Sequence, residues 1–140
     1  MRVTMTLSLP RQPSSVTRAR HVLTTLLSLT DVGEEARDHL AVMMSEACAN
    51  AVLHADSGST VDVTILIDGH DCLIEVGNRG DTPDDTQLAA ELPDPLTVGG
   101  RGLPLIGALA DTAAFLDADP GHVLLRLTKY LSTVAAPSTS

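Results

Sequence analysis

The stretch SEACANAVLHADSG, residues 45–58, sets Glu46, Asn50 and His54 four residues apart inside an otherwise apolar run. At about 100° per residue, a carboxylate, an amide and an imidazole fall within an arc of about 80°. That arc adjoins and partly overlaps a stripe of Leu40, Met43, Met44, Ala47 and Ala51, so the three are expected off the solvent face. Ala47, Cys48, Ala49, Ala51, Val52 and Leu53 make this helix apolar nearly all round, the mark of a buried helix. Burying an unpartnered carboxylate or amide costs several kcal/mol. Glu46 and Asn50 therefore either hold a hard cation with its waters, as Mg²⁺ sites with few protein ligands do, or bond to loop backbone or to each other. Spacing alone leaves both open.

Working outward, the helix is expected over Glu34–His54, after a break at Thr30, Asp31 and Gly33. An earlier helix runs to about Leu29, with Ser14 or Ser15 as its cap and Val16, Ala19, Val22, Leu23, Leu26 and Leu27 inward. Apolar residues alternate along Val3–Leu9 and Thr60–Ile67, and Cys72–Asn78 follows a hairpin turn at 68–71. Residues 80–100 show no periodicity, which in a compact domain suggests a functional loop. A short helix at Leu103–Ala110 and strands at Ala113–Asp117 and Val123–Tyr130 complete the order β-α-α-β-β-loop-α-β-β. Helices grouped apart from hairpin strands point to an α+β fold, a two-layer α/β sandwich with helices on one sheet face. One domain is expected over residues 1–130, with a Ser/Thr/Ala/Pro tail at 131–140 that reads as disordered.

Composition narrows the function. The 140 residues are 44% hydrophobic and carry a formal charge of −9, with Phe115 and Tyr130 the only aromatics. An acidic surface repels a phosphate backbone, and there are no stacking platforms, so direct nucleic-acid binding is not expected. Cys48 and Cys72 have neither metal nor disulfide spacing and read as small buried thiols. His21, His39, His70 and His122 show no ligand spacing and are expected at the surface. No run is long and apolar enough for a bilayer or a signal peptide, so membrane association is not expected and a cytoplasmic location is.

Two further features stand out. Val76-Gly77-Asn78-Arg79-Gly80-Asp81-Thr82 closes a strand and by itself reads as a turn. Gly99-Gly100-Arg101-Gly102 precedes a helix, where backbone N–H groups and the helix N-terminus could meet a phosphate, or where the glycines could serve as a hinge. With the helix at 34–54, all three in this order resemble the GHKL ATPase superfamily of histidine kinases, gyrase and heat-shock chaperones. More narrowly, they resemble the small anti-sigma-factor serine/threonine kinases. Glu46 to His54 is similar to the family's N box, Gly100-Arg101-Gly102-Leu103 to its second glycine box, and Gly80–Val98 to its ATP lid.

The resemblance implies a mixed, mostly antiparallel sheet, ATP or ADP with Mg²⁺ as ligands, and a sigma factor and an anti-anti-sigma (STAS-type) protein as partners, with a possible homodimer. It implies Glu46 as the general base, Asn50 as the Mg²⁺ ligand, and the backbone of Gly100 and Gly102 around the phosphates, with Arg101 countering their charge. Asn78 stands where the family has an aspartate for the adenine amino group. Gly80 and Leu103 fall in the nucleotide set, and His54 either joins them or has a structural role at the helix end. Thr82 replaces a glycine, Val123 stands where relatives often place a threonine, and the lid carries Asp81, Asp84, Asp85, Glu91 and Asp94. These departures keep open a second reading, a regulatory binding module with weak or lost nucleotide binding. A third, an acyltransferase holding a coenzyme A pyrophosphate at Gly99–Gly102, leaves Glu46 and Asn50 unexplained.

Overall fold

Five strands alternate in burial along their length, and that alternation makes the sheet two-faced. The computed structural model describes residues 2–80, 86–89, 102–117 and 120–131. The strands are β1 (Val3–Pro10), β2 (Thr60–Ile67), β3 (Asp71–Arg79), β4 (Thr112–Asp117) and β5 (His122–Tyr130). They lie in the order β1-β2-β3-β5-β4. The sheet expected as mixed and mostly antiparallel is antiparallel at every pairing among the described strands. The register stacks Val63 beside Val76 and Leu125, and Ile65 beside Ile74 and Leu127, all buried on one face. One slipped residue would turn that set to the other face, so the apolar period fixes the register.

Among the described residues four helices accompany the sheet: α1 (Ser14–Leu27), α2 (Glu34–His54), α3 (Thr86–Ala89) and α4 (Gly102–Leu109). The serine cap expected for α1 is absent, since Pro13 holds the cap position and Ser14 lies inside the helix. Fully buried Ser15 instead donates its hydroxyl to the Pro10 carbonyl at 2.6 Å. It thereby satisfies a strand-end acceptor at the β1–α1 corner. The helix stops at Leu27, two residues early, where the Thr30 hydroxyl donates to the Leu27 carbonyl at 2.7 Å and Leu29 turns outward. α2 has the expected bounds and buries the whole expected stripe, with Glu34 and Glu35 suiting the positive end of its dipole. It is not buried all round: Ala49 and Leu53 are exposed. α2 packs on α1, α4 and the sheet, which covers three sides and leaves the fourth to solvent.

The region read as aperiodic contains α3, a helix too short to display a 3.6-residue period. It packs on α4 where Gly107 meets the Leu88 backbone, and any Cβ at Gly107 would collide with the Leu88 carbonyl. The expected lid segments at 81–85 and 90–98, and the tail at 132–140, lie outside the described residues. No helix among the described residues is long and apolar enough to cross a membrane.

Both cysteines are buried and unpaired, on α2 and β3 respectively. Burial pushes each thiol up from 9.0 to about 12, with the Asp71 and Asp68 carboxylates adding to the effect at Cys72. The folded thiols hold their protons where unfolded ones lose them, so stability is full below pH 9 and declines towards pH 12. The urea midpoint should therefore fall between pH 8 and 10.5, with a shallower fall in a Cys48→Ala/Cys72→Ala variant. At pH 8, Ellman's reagent should titrate both thiols only after unfolding.

Candidate functional site

α2 delivers the two polar side chains that begin the site. Glu46 and Asn50 are half-buried and one turn apart on α2, which packs on α4 and the sheet. Glu46 reaches the first residue of α4: a Cβ built on Gly102 would stand 2.9 Å from Glu46 Oε2. Any larger residue at 102 would press on the carboxylate. Glu46 and Asn50 do not hydrogen-bond each other, and neither side chain bonds to any other described residue. The reading in which they satisfy one another is thereby removed, and both remain available to a ligand or to residues outside those described.

His54 differs from expectation. Its ring is exposed, because the line it shares with Glu46 and Asn50 drifts past the edge of the covered sector. Its contribution is its backbone carbonyl, which lies against Gly80. Gly80 has φ +152°, donates its N–H to the Gly121 carbonyl at 2.9 Å and forms an isolated antiparallel bridge with Ala55. A Cβ at Gly80 would collide with the His54 carbonyl and lie 3.2 Å from Asn78 Nδ2.

Asn78 is 5% exposed and lies on the inner face of β3, opposite Val123. Its Nδ2 donates to the Arg79 carbonyl at 3.1 Å, and the Asp56 N–H donates to the same oxygen at 2.7 Å. Leu103 is buried in the apolar cluster, so its side chain belongs to the core. Gly100 and Arg101 lie outside the described residues. Glu46 thus meets Gly102, while Gly80 meets Asn78 and the His54 carbonyl, two groupings about 12 Å apart along α2.

Sequence reasoning missed the Arg79 carbonyl, since a backbone acceptor leaves no trace in residue type. It also missed a cleft of about 460 Å³ bordered by Asp56, Ser59, Asp62, Asn78, Arg79 and His122, because residues 56–59 read only as a turn. Among the other histidines, His39 departs from the expected surface position: Nδ1 is buried and has no partner among the described residues.

The chain belongs to the histidine kinase-like ATPase domain family, whose model matches residues 9–129. Within that family it is similar to the serine-protein kinase RsbW of Listeria monocytogenes serovar 1/2a, with 31% identity covering 91% of this chain and 87% of the relative. RsbW of Bacillus subtilis strain 168 is 28% identical over 90% of this chain and 84% of its own length. Among solved structures, the RsbU and RsbW domains of Rv1364c from Mycobacterium tuberculosis superpose with a TM-score of 0.72 at 19% identity, over 95% of this chain and 34% of that one. A chain of the SiaB–SiaC complex from Pseudomonas aeruginosa gives a TM-score of 0.60 at 17% identity, over 90% and 89%. At those identities the two structures speak for the fold.

The two glycines should respond differently to alanine. Gly80→Ala must bring a Cβ against a fixed carbonyl at positive φ, and should cost about 1–3 kcal/mol. Gly102→Ala meets the end of a flexible side chain, and should cost less than about 1 kcal/mol while displacing Glu46. Urea denaturation of the two variants checks the contrast.

Proposed function

We propose that this chain is an ATP-binding regulator of the anti-sigma type that phosphorylates a serine or threonine of an anti-anti-sigma partner. The observation that carries the reading is the Glu46 carboxylate against Gly102 at the start of α4, one turn from Asn50. The donor set fits the nucleotide: an amide oxygen suits Mg²⁺, and Gly102 has no Cβ to block the approach of a phosphate. Asn50 would hold the metal, and Gly100, Gly102 and Arg101 the phosphates. Leu103 packs the start of α4 behind them, Gly80 closes the base end beside the His54 carbonyl, and Asn78 reads the base. Bound there, ATP with Mg²⁺ supplies the phosphoryl group and neutralises its charge.

Glu46 would accept the proton of the partner's hydroxyl as its oxygen bonds to the terminal phosphorus and the bridging P–O bond to ADP breaks. A general base contributes about 10²–10⁴-fold. The partner proteins, a sigma factor bound on a separate face, pairing of two copies and a cytoplasmic location all extend this reading by family resemblance.

Val123, buried beside Asn78, offers the base no hydroxyl. That favours the second reading, a binding module with nucleotide binding reduced or lost. Thermal unfolding with Mg·ADP separates the two: nucleotide at 100 times its Kd stabilises by about 2.7 kcal/mol, whereas no shift at millimolar nucleotide favours the binding module. In a phosphotransfer assay with the cognate anti-anti-sigma protein, Glu46→Gln should slow labelling at least about 100-fold and leave Mg·ADP affinity within a few-fold. Wild-type protein that binds both partner and ATP yet never labels the partner would remove the kinase assignment.

A further inference from the structure

β1 is one margin of the sheet and pairs with β2 alone. Over Val3–Leu9 it carries no charge and no proline, and its register with β2 is unbroken by a bulge. Charges, prolines and bulges are the means by which proteins keep a sheet edge from recruiting another strand. Every second residue of β1 turns its N–H and C=O away from β2, and over Val3–Leu9 no described group meets them. The opposite margin, β4, has α3 across a cleft from Ala113 and Ala114.

The edge is also incompletely covered. On the inner face of β2, Val61, Val63, Ile65 and Ile67 are at most 1% exposed. Their direct neighbours on β1, Leu9, Leu7, Met5 and Val3, are only half-buried. A further strand would cover that row as β1 covers the row before it.

Charge says what kind of strand fits. The chain has a formal charge of −9, yet no Asp or Glu precedes Asp31, whereas Arg2, Arg11, Arg18 and Arg20 do. Arg2 stands exposed one residue before β1. On α1, which packs on β1, Arg20 donates to the Ser45 hydroxyl of α2 at 3.3 Å. Arg18, about 160° round the helix from Arg20, therefore faces away from α2, over the free edge, and is exposed.

We propose that the free edge of β1 is a docking site for an extended segment of a partner protein, one that adds as a further strand and carries carboxylates at its flanks. Main-chain bonds supply the affinity, and Arg2 and Arg18 select an acidic segment over a basic one. A second copy fits less well. Antiparallel pairing of β1 with itself in full register would set Arg2 of each copy at the Arg11 end of the other, cation against cation. The proposal goes beyond the kinase reading and depends on neither nucleotide nor Glu46.

Three synthetic peptides serve as probes for the full chain. Two alternate valine and threonine, one closed by glutamate at both ends and one by lysine. The third keeps the glutamates around glycine and proline, which supplies the charge without the strand. By calorimetry at low salt, the glutamate-closed strand should bind at least about tenfold more tightly than either other peptide, and less tightly as salt is added. In that complex every second amide of Val3–Leu9 should exchange at least about tenfold more slowly, with the β4 amides unchanged. Arg2→Glu/Arg18→Glu should reverse the preference between glutamate and lysine, with the urea midpoint reporting that the variant is folded. Equal binding of the three peptides, or protection that falls on β4, overturns the proposal. So does protection of the outward β1 amides without peptide, whether it grows with protein concentration, making a second copy the occupant, or vanishes when residues 132–140 are removed, making the tail the occupant.

Discussion

Between Ala47 and Ala55 the buried face of the second helix carries no side chain larger than cysteine: Ala47, Cys48, Ala51 and Ala55. Earlier in the same helix that face carries Leu40, Met43 and Met44, all with no exposure. Large side chains hold a helix off its neighbours, and small ones let the backbones approach. The helix is thus tapered, and its contacts with Gly80 and Gly102 lie towards the thin end. There the His54 carbonyl lies against Gly80, and the Glu46 carboxylate against Gly102. Both contacts need a glycine on the far side, so the small face of α2 and the two glycines form one constraint. These contacts bring α2 against the start of α4 near Glu46 and against the end of β3 near His54.

The antiparallel sheet supplies the other half of that space. β3 lies centrally, paired with β2 and β5 along nearly its whole length, and its last inward residue is Asn78. Beyond it the chain bonds to the helix end and to the β4–β5 turn, through Arg79 with Asp56 and Gly80 with Gly121. A strand fastened at its tip on both sides holds its final side chain still.

Period-two alternation located β2 to the residue and α2 showed its bounds, because burial on one face writes itself into residue type. Glu46 and Gly102 stand out in the sequence by residue type, and the structure sets them against each other. What stayed hidden depends on backbone atoms and on neighbours distant in sequence. Ser15 looked like a helix cap, and only the arrival of the Pro10 carbonyl shows why it is not one. The four residues of α3 are fewer than a period needs. The exposure of His54 follows from which flank of α2 is left uncovered, and no local pattern encodes that. The amide of Asn78 finds its partner in a carbonyl, and every residue but its own identity is silent about it.

Gly80 and Gly102 also bear on how the chain between them can change. Both ends of that connection are held by α2, one near position 54 and the other at position 46, about 12 Å apart along the helix axis. The spacing of the ends is thus dictated from outside the connection. The contact between α3 and Gly107 adds a third fixed point between those ends. The register of α2 sets where they stand, since one inserted residue would carry Glu46 about 100° away from Gly102.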